Sequence, residues 1–138
     1  MSEENRRLAT RWFEEVWNAR REAMIDEVMR PDSLGHLEGK DILGPAEFKT
    51  QRAALLTAFP DLRVVVEATA ADGDVVVVRW KAVGTHLGQG FGVQGTGAPV
   101  AFRGMTWFVI RAGQFIEGWD AWNQGALAES LREAARPS

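Results

Sequence analysis

One carboxylate near the C-terminal end of the sequence has the surroundings of an acid/base catalyst. Asp120 lies in the segment Phe115–Trp122, which otherwise favours a β-strand, and aspartate is depleted in strands. With regular alternation, the same face then carries Ile116, Gly118 and Trp122. A carboxylate desolvated by apolar neighbours has a raised pKa, so Asp120 is a candidate general acid or base near neutral pH. The alternative is that the strand ends one residue earlier and Asp120 is a solvated turn residue.

The two histidines are weaker candidates for chemistry. His86 follows a predicted strand, where it either donates a hydrogen bond to a substrate carbonyl at the mouth of a pocket or lies in a surface loop. His36 lies in a predicted loop, and an exposed position is expected there. Together with Glu38 they include the residue types of a two-histidine, one-carboxylate metal site, but no motif spacing supports it and we expect no metal. The glycine-rich stretch 88–92 is flanked by strands, which argues against a dinucleotide-binding turn.

Composition excludes several other classes of chemistry. The 138 residues include no cysteine and no tyrosine, which rules out disulfides, a thiol nucleophile, cysteine-held zinc or iron–sulfur clusters, and a phenol donor. Sixteen basic and nineteen acidic residues give a net charge of −3, which disfavours nucleic acid as a partner. No apolar run approaches the ~18 residues of a membrane span, and the first ten residues have no signal-peptide pattern. We therefore expect a cytoplasmic protein that binds neither membranes nor nucleic acids.

The N-terminal part of the sequence predicts helices. Apolar residues at spacings of three and four form one stripe through the first twenty residues: Leu8, Ala9, Trp12, Phe13, Val16 and Trp17. A second helix is predicted over Glu22–Met29, before Pro31. A third is predicted from Pro45, a residue suited to the first turn, until Pro60. Residues 32–43 fit neither period and are predicted to be a loop.

After the third helix the period changes to two, which predicts strands. The predicted strands are Leu62–Ala68, Val75–Thr85, Val100–Arg111 and Phe115–Trp122, followed by a short helix or frayed end from Gln124. Because helices precede strands, the fold class is α+β. We expect a single domain over residues 1–138, a cone-shaped α+β barrel in which the N-terminal helices pack in the concave face of a curved, mostly antiparallel sheet. That arrangement encloses one apolar pocket.

Short segments along the chain, taken in order, resemble one protein family. They are Trp17-Asn18 ending the first helix, Gly44-Pro45-Ala46-Glu47-Phe48 opening the third, Ala58-Phe59-Pro60-Asp61-Leu62 before the first strand, Gly84-Thr85-His86-Leu87-Gly88, Gly97-Ala98-Pro99-Val100, and Gly113-Gln114-Phe115-Ile116-Glu117-Gly118-Trp119-Asp120. Their order and spacing are similar to those of the SnoaL-like polyketide cyclase family, within the nuclear-transport-factor-2-like fold. The resemblance covers nearly the whole chain.

The resemblance implies an activity and a set of site residues. In these cyclases an aspartate on the last strand is the acid/base of an intramolecular aldol ring closure that needs no metal or cofactor, and its position matches Asp120. The resemblance also implies that Trp17, Gln51 and His86 line the pocket. Where the family has a pocket histidine on the preceding strand, this chain has Thr106, and we expect Thr106 or His86 to stabilise the enolate oxygen. The predicted substrate-binding residues are Trp17, His36, Gln51, His86, Thr106 and Trp122.

The aromatic residues indicate the partners of the protein. Aromatic planes that line a pocket suit a flat, apolar, polycyclic substrate that stacks on them. Phe115, Trp119 and Ala121 alternate away from Asp120, so we expect the outer face of the sheet to be apolar. Exposed aromatic surface of this kind and the family resemblance both favour a homodimer through the sheet.

Three other functions stay open at the level of the sequence. The first is a non-catalytic small-molecule-binding or dimerisation module, which an exposed Asp120, or one paired with Arg79 or Arg103, favours. A ketosteroid-isomerase-like proton shuttle lacks its usual tyrosine donor here. A limonene-type epoxide hydrolase uses an Arg-x-Asp pair on a strand, whereas Arg30-Pro31-Asp32 of this chain falls in the predicted loop region.

Overall fold

The computed structural model describes residues 2–137 and has an α+β fold. In that range the helices are α1 Ser2–Arg11, α2 Ala23–Val28, α3 Gly44–Ala58 and α4 Gln124–Ala135, and a π-helical segment, Trp12–Asn18, directly continues α1. The strands are β1 Met29–Leu37, β2 Lys40–Leu43, β3 Arg63–Asp72, β4 Val75–Thr85, β5 Pro99–Arg111 and β6 Gln114–Trp122. They form one sheet in the order β2-β1-β6-β5-β4-β3, in which only β1 and β6 pair in parallel.

The predicted fold class is confirmed, except that the sheet does not close into a barrel. The sheet is curved and mostly antiparallel, as expected, but β2 and β3 remain at its two edges, so it is not a closed barrel. The core lies between the helices and the concave face of the sheet. Its largest fully buried apolar side chains are Phe59, Met24, Ile25, Ile110, Leu131, Val16, Val76 and Val78. None of the helices in residues 2–137 combines the length and apolarity needed to cross a membrane.

The N-terminal apolar stripe is buried as its periodicity predicts. Ala9 and Val16 have no exposed surface, and Trp12 and Phe13 are each 5% exposed. The π-helical segment ends where the backbone N–H of Ala19 bonds to the carbonyl five residues earlier at 2.9 Å. Such wider turns are rare and often occur near functional sites, because they change the direction in which side chains project. Here they fall in the segment whose aromatic side chains contact the cavity described below.

The start of α3 depends on a glycine. Gly44 has φ +73°, a left-handed conformation that side chains disfavour, and a Cβ there would lie 2.7 Å from the carbonyl oxygen of Pro31. Pro45 then occupies the first turn, as predicted. Arg52, only 6% exposed, anchors the middle of the helix by donating from Nε and Nη2 to the carbonyl of Val16 at 3.2 and 3.0 Å. The contact joins α3 to the π-helical segment.

The predicted loop over residues 32–43 is wrong, because that segment forms most of β1 and all of β2. Its aspartate and glycine residues have low intrinsic strand propensity, so no alternating pattern marks it. Pairing supplies the strand instead, with Leu34 beside Glu117 of β6 in parallel and Gly35 beside Ile42 of β2 in antiparallel. A Cβ on Gly35 would lie 2.9 Å from Ile42 Cγ1, so the two strands pack closely at that glycine.

A β-bulge in β6 changes which residues face inward. Val109 pairs with Glu117, but Ile110 pairs with Phe115, which leaves Ile116 as an extra residue. The expected alternation is therefore wrong at this end of the strand. Phe115 is 5% exposed and faces the concave side rather than the outer face, and the bulge breaks the alternation between Ile116 and Asp120. Beyond the bulge the alternation holds, and Trp119 is 41% exposed on the outer face.

A substitution at Gly104 tests how closely the aromatic side chains of the neighbouring strands pack against β5. A Cβ there would lie 2.5 Å from Trp80 Cζ2 and 2.8 Å from Trp122 Cβ. We expect Gly104→Ala to lower the free energy of unfolding in urea by about 1–3 kcal/mol, because the two indoles must shift. Gly118→Ala is the matched control, since its Cβ would meet nothing closer than 3.5 Å. Equal stability of the two variants would contradict the expectation.

Candidate active site

An aromatic cavity opens between the helices and the concave face of the sheet. Its volume is about 940 Å³ when the open space at its mouth is included. The aromatic wall consists of Trp12, Phe13, Trp17, Phe48, Trp80, Phe102, Phe108, Phe115 and Trp122. The wall also includes Asp120 and Thr106 from the neighbouring strands β6 and β5. The cavity therefore offers flat apolar surfaces around very few polar groups.

Asp120 is held by a directed chain of hydrogen bonds. Thr106 lies opposite it in the β5–β6 register, and the Thr106 hydroxyl donates to Asp120 Oδ1 at 2.6 Å. The buried Trp80 donates its indole N–H to the oxygen of the same hydroxyl at 2.9 Å. Because a hydroxyl has one proton, the bond from Trp80 occupies an acceptor position and the proton points to the carboxylate. The second carboxylate oxygen receives no hydrogen bond from residues 2–137.

The surroundings of Asp120 favour its protonated form. Burial raises the pKa of Asp120, and the hydrogen bond from Thr106 opposes the rise only in part. No ion pair joins this carboxylate to a basic side chain anywhere in the described range 2–137, and Arg79 instead pairs with Glu67 at 3.6 Å. The residue is half-buried because its carboxyl group borders the open cavity. It is accordingly a carboxyl group that can exchange a proton with a bound molecule.

Comparison with known proteins decides the family. The model of the family described as SnoaL-like polyketide cyclase matches residues 7–131. The chain belongs to this family. Comparison with curated protein sequences gives no match. The resemblance noted in the sequence is thus confirmed over nearly the whole chain.

Solved structures of other proteins share the fold of this chain. A candidate SnoaL-like polyketide cyclase from Jannaschia sp. CCS1 is 28% identical, with a TM-score of 0.90, covering 99% of this chain and 95% of that one. AclR, a candidate hydroxylase from Streptomyces galilaeus, is 27% identical, with a TM-score of 0.86, covering 96% and 98%. A candidate polyketide cyclase from Acidithiobacillus ferrooxidans shares the fold at 24% identity and a TM-score of 0.82, covering 96% of each chain.

The cavity brings together five of the seven predicted site residues and leaves Gln51 and His86 outside. Trp17, Thr106 and Trp122 line it together with Asp120. Gln51, on α3, instead lines a separate groove that borders the cavity. His36 also lines the cavity, and its two ring nitrogens are bonded to Asp41 and Glu117.

His86 is not among the residues that line the cavity, contrary to expectation. The backbone N–H of His86 donates to the carbonyl of Ala98 at 2.9 Å, and the backbone carbonyl of His86 accepts from the N–H of Gly97 at 2.8 Å. These bonds extend the β4–β5 pairing beyond Thr85 and turn the ring of His86 into the core. There it has no exposed surface, packs beside Phe59 at 5.8 Å and accepts a hydrogen bond at Nδ1 from the backbone N–H of Thr96. This position gives His86 no access to a molecule in the cavity.

His36 is the centre of an ionic cluster rather than a loop residue. Its Nδ1 lies 2.9 Å from Asp41 Oδ1 and its Nε2 lies 2.7 Å from Glu117 Oε2. Its ring stacks on Trp119, with centroids 4.8 Å apart. The hydrogen bonds to Glu117 and then to Asp41 raise the pKa of His36. The imidazolium form is therefore favoured, and a site combining His36 with Glu38 and His86 does not form.

The raised pKa of His36 predicts a pH dependence of stability. Its interactions stabilise the folded protein fully below the unfolded-state pKa of about 6.5, and the stabilisation is lost as pH rises through the higher native pKa. We expect the melting temperature of His36→Gln to fall furthest below that of the native protein near pH 6. The gap narrows in melts at progressively alkaline pH. A gap that widens with pH would contradict the assignment.

Sequence reasoning missed the indole donor behind the carboxylate. Trp80 lies in β4, where Val76, Val78, Trp80 and Ala82 alternate inward and are all buried. The alternation places Trp80 on the inner face, and a buried indole N–H needs an acceptor, so the sequence does contain a signal for it. In the part of the chain that the structure covers, residues 2–137, no three His, Cys, Asp or Glu side chains group in a way that could hold a metal ion.

Proposed function

We propose that this protein is an acid/base enzyme that works without metal or cofactor and closes a ring within an apolar, flat carbonyl substrate by aldol chemistry. The observation that supports this most is Asp120, a carboxyl group without an ion-pair partner in residues 2–137, set in an aromatic cavity that raises its pKa. Neighbours with more than a quarter sequence identity are described by two different activities, cyclase and hydroxylase. The reaction is therefore argued from the site itself.

In the proposed reaction, Asp120 removes one proton from the substrate and later returns it. The ionised Asp120 takes a proton from an acidic C–H of the substrate, and the electron pair of that bond becomes an enolate. The enolate carbon forms a bond to a second carbonyl carbon of the same molecule, and the carbonyl oxygen becomes an alkoxide. Protonated Asp120 then donates its proton to the alkoxide and is ionised again. The cavity walls contribute by holding the two reacting carbons close together.

Thr106 has a different part in this proposal from the one expected at first. Its single proton points to Asp120 Oδ1 at 2.6 Å, so it does not reach an enolate oxygen. His86 is buried away from the cavity wall. We therefore assign Thr106 to holding the carboxylate in place and give no enolate-stabilising part to either residue. The second, free oxygen of Asp120 is the one that takes the proton.

The absence of an arginine partner favours an enzyme over a binding module. A carboxylate fixed by Arg79 or Arg103 could orient a ligand but would have a lowered pKa and little tendency to accept a proton. Arg79 is bound to Glu67, and the exposed Arg103 forms no ion pair with Asp120. The Arg30-Pro31-Asp32 segment lies on exposed backbone of β1, outside the cavity lining, which removes the basis for an epoxide hydrolase.

Hydrogen–deuterium exchange tests the proposal without the natural substrate. 2-Tetralone is a flat, apolar ketone with an acidic C–H between its ring and its carbonyl. We expect the protein to accelerate incorporation of deuterium at this carbon in D₂O, followed by proton NMR. The rate should saturate with ketone concentration, because the reaction takes place in the cavity. Exchange no faster than in buffer with an equal concentration of free carboxylate would contradict the proposal.

We also propose that the outer face of the sheet joins two copies of the chain. Met105, Trp107 and Trp119 are 52%, 47% and 41% exposed, and Trp107 lies opposite Trp119 in the β5–β6 register. Adjacent exposed aromatic side chains of this size usually mark an interface. We expect light scattering at micromolar concentration to give twice the chain mass of 15.3 kDa. Trp107→Arg should give one chain mass.

The control for the dimer is Val65→Arg, which places the same charge at an apolar position that is 48% exposed on the edge strand β3. It should leave the mass at two chains. A mass near one chain for the native protein at micromolar concentration would contradict the proposal.

A further inference from the structure

A second groove adjoins the aromatic cavity across a shared wall. Leu55 and Trp122 line both spaces, and Trp122 lies two residues after Asp120 on the same strand. The volume of the groove, including its open side, is about 630 Å³. A molecule that fills the cavity beside Asp120 therefore has a second site immediately beyond the indole of Trp122.

The polar lining of the groove consists of neutral groups. Gln51 comes from α3, Gln89 from the loop after β4, and Gln124 from the first position of α4. Among residues 2–137, no Asp, Glu, Lys, Arg or His side chain lines the groove. The three side-chain amides form no hydrogen bond with the rest of residues 2–137, although the backbone N–H of Gln124 donates to Glu38. Each amide thus keeps two N–H donors and one carbonyl acceptor for a ligand.

The loop that carries Gln89 is fixed against the end of α3. The backbone N–H groups of Leu87 and Gly88 donate to the carbonyl of Ala58 at 3.1 and 3.3 Å. A Cβ on Gly88 would lie 2.0 Å from the carbonyl oxygen of Thr57, and one on Gly90 would lie 2.4 Å from Ala58 Cβ. Only glycine permits the backbone to approach α3 so closely at these two positions. The loop, which forms one wall of the groove, therefore lies directly against the end of α3.

The chemistry of the lining selects a class of ligand. A hydroxyl group both donates and accepts, so it matches an amide that offers both, whereas an anion leaves the amide carbonyls facing negative charge. Phe91 and Trp122, an edge-to-face pair with ring centroids 6.4 Å apart, add apolar surface for the C–H groups of a sugar ring.

We infer that the groove binds a neutral, hydroxyl-rich substituent, such as a glycosyl group, of a ligand whose flat apolar part occupies the cavity. This inference rests on the proposed function only in taking the cavity as the substrate site.

Calorimetric titration with three naphthalene probes tests the inference. 2-Naphthol carries only the flat part, 2-naphthyl β-D-glucopyranoside adds a neutral sugar, and 2-naphthyl sulfate adds an anion. Two or three new hydrogen bonds should make the glucoside bind the native protein about tenfold more tightly than 2-naphthol. The sulfate should bind more weakly than 2-naphthol. A glucoside that binds no more tightly than 2-naphthol, or a sulfate that binds most tightly of the three, would overturn the inference.

Substitutions locate the effect in the groove. Gln51→Leu removes one of the three amides, so it should reduce the tenfold preference for the glucoside and leave the affinity for 2-naphthol unchanged. Gln94→Leu is the matched control, because Gln94 is exposed in the same loop region and does not line the groove. The assignment of the groove would be contradicted if Gln51→Leu weakened the binding of 2-naphthol and of the glucoside equally. It would also be contradicted if Gln94→Leu lost the preference for the glucoside.

The titration separates this inference from the proposed reaction. Asp120→Asn should keep the preference for the glucoside, because binding needs no proton transfer. If 2-tetralone exchange depends on Asp120 but the glucoside has no advantage, only the groove assignment fails. If the glucoside preference depends on Gln51 but exchange is independent of Asp120, only the proposed reaction fails.

Discussion

Asp120→Asn is expected to slow protein-catalysed deuterium exchange of 2-tetralone by about 10²–10⁴-fold, the usual contribution of a positioned acid/base group. Asparagine keeps the shape of the side chain and can still accept the hydrogen bond from Thr106, but it cannot take up a proton. Asp26→Asn is the matched control, since Asp26 lies on α2, pairs with Lys49 and does not line the cavity. Exchange that stays at the native rate in Asp120→Asn would remove this residue from the reaction.

Stability measurements show whether the lost rate reflects lost structure. Burial raises the native pKa of Asp120 above the unfolded value, so the folded protein binds more protons and loses stability as pH rises between the two values. The penalty for the ionised group is complete above the native pKa and absent below the unfolded value of about 3.9. Asp120→Asn should therefore melt at a higher temperature than the native protein at neutral pH, with no difference in strong acid.

Thr106→Val is expected to move the activity to higher pH. Exchange requires ionised Asp120, so its rate rises with pH through the pKa of this group. The hydrogen bond from Thr106 lowers that pKa against the effect of burial, and valine removes the bond at nearly the same volume. The midpoint of the pH–rate profile should thus lie at higher pH in Thr106→Val. It should stay near the native value in Thr106→Ser, which keeps the hydroxyl.

The same substitution removes the acceptor of a buried donor. Trp80 Nε1 bonds to the Thr106 hydroxyl at 2.9 Å, and valine leaves this N–H without a partner. We expect Thr106→Val to lower the free energy of unfolding by about 1–3 kcal/mol, whereas Thr106→Ser loses less. A midpoint that is unchanged in Thr106→Val, or that moves to lower pH, would contradict the hydrogen-bond chain.

The part of the fold that local pattern determines was predictable. In β4 the alternation of buried valines and Trp80 carries through the strand, and in the first helix the spacing of Trp12, Phe13 and Val16 marks one buried side. These patterns repeat because every second residue of a strand, and every third or fourth residue of a helix, faces the same core. The α+β class and the position of Asp120 on the last strand follow from them.

The part that depends on distant pairing was not predictable. Residues of β1 form a strand because Leu34 lies beside Glu117 of β6, more than eighty positions away along the chain, and no local pattern encodes that contact. The inward position of Phe115 depends on the single extra residue Ile116 in a bulge. His86 is directed into the core by backbone pairing with residues near Ala98. In each case tertiary structure overrides propensity.

The most direct test is the pKa of Asp120 itself. Carbon-13 NMR of the side-chain carboxyl groups, with Asp120→Asn used to assign the signal, gives the titration midpoint of this residue in the folded protein. We expect the midpoint to lie above the value of about 3.9 for an unperturbed aspartate, because the aromatic cavity disfavours the charged form. A midpoint at or below that value would mean that the carboxylate is stabilised in its ionised state, and the proposed proton transfer would have no basis.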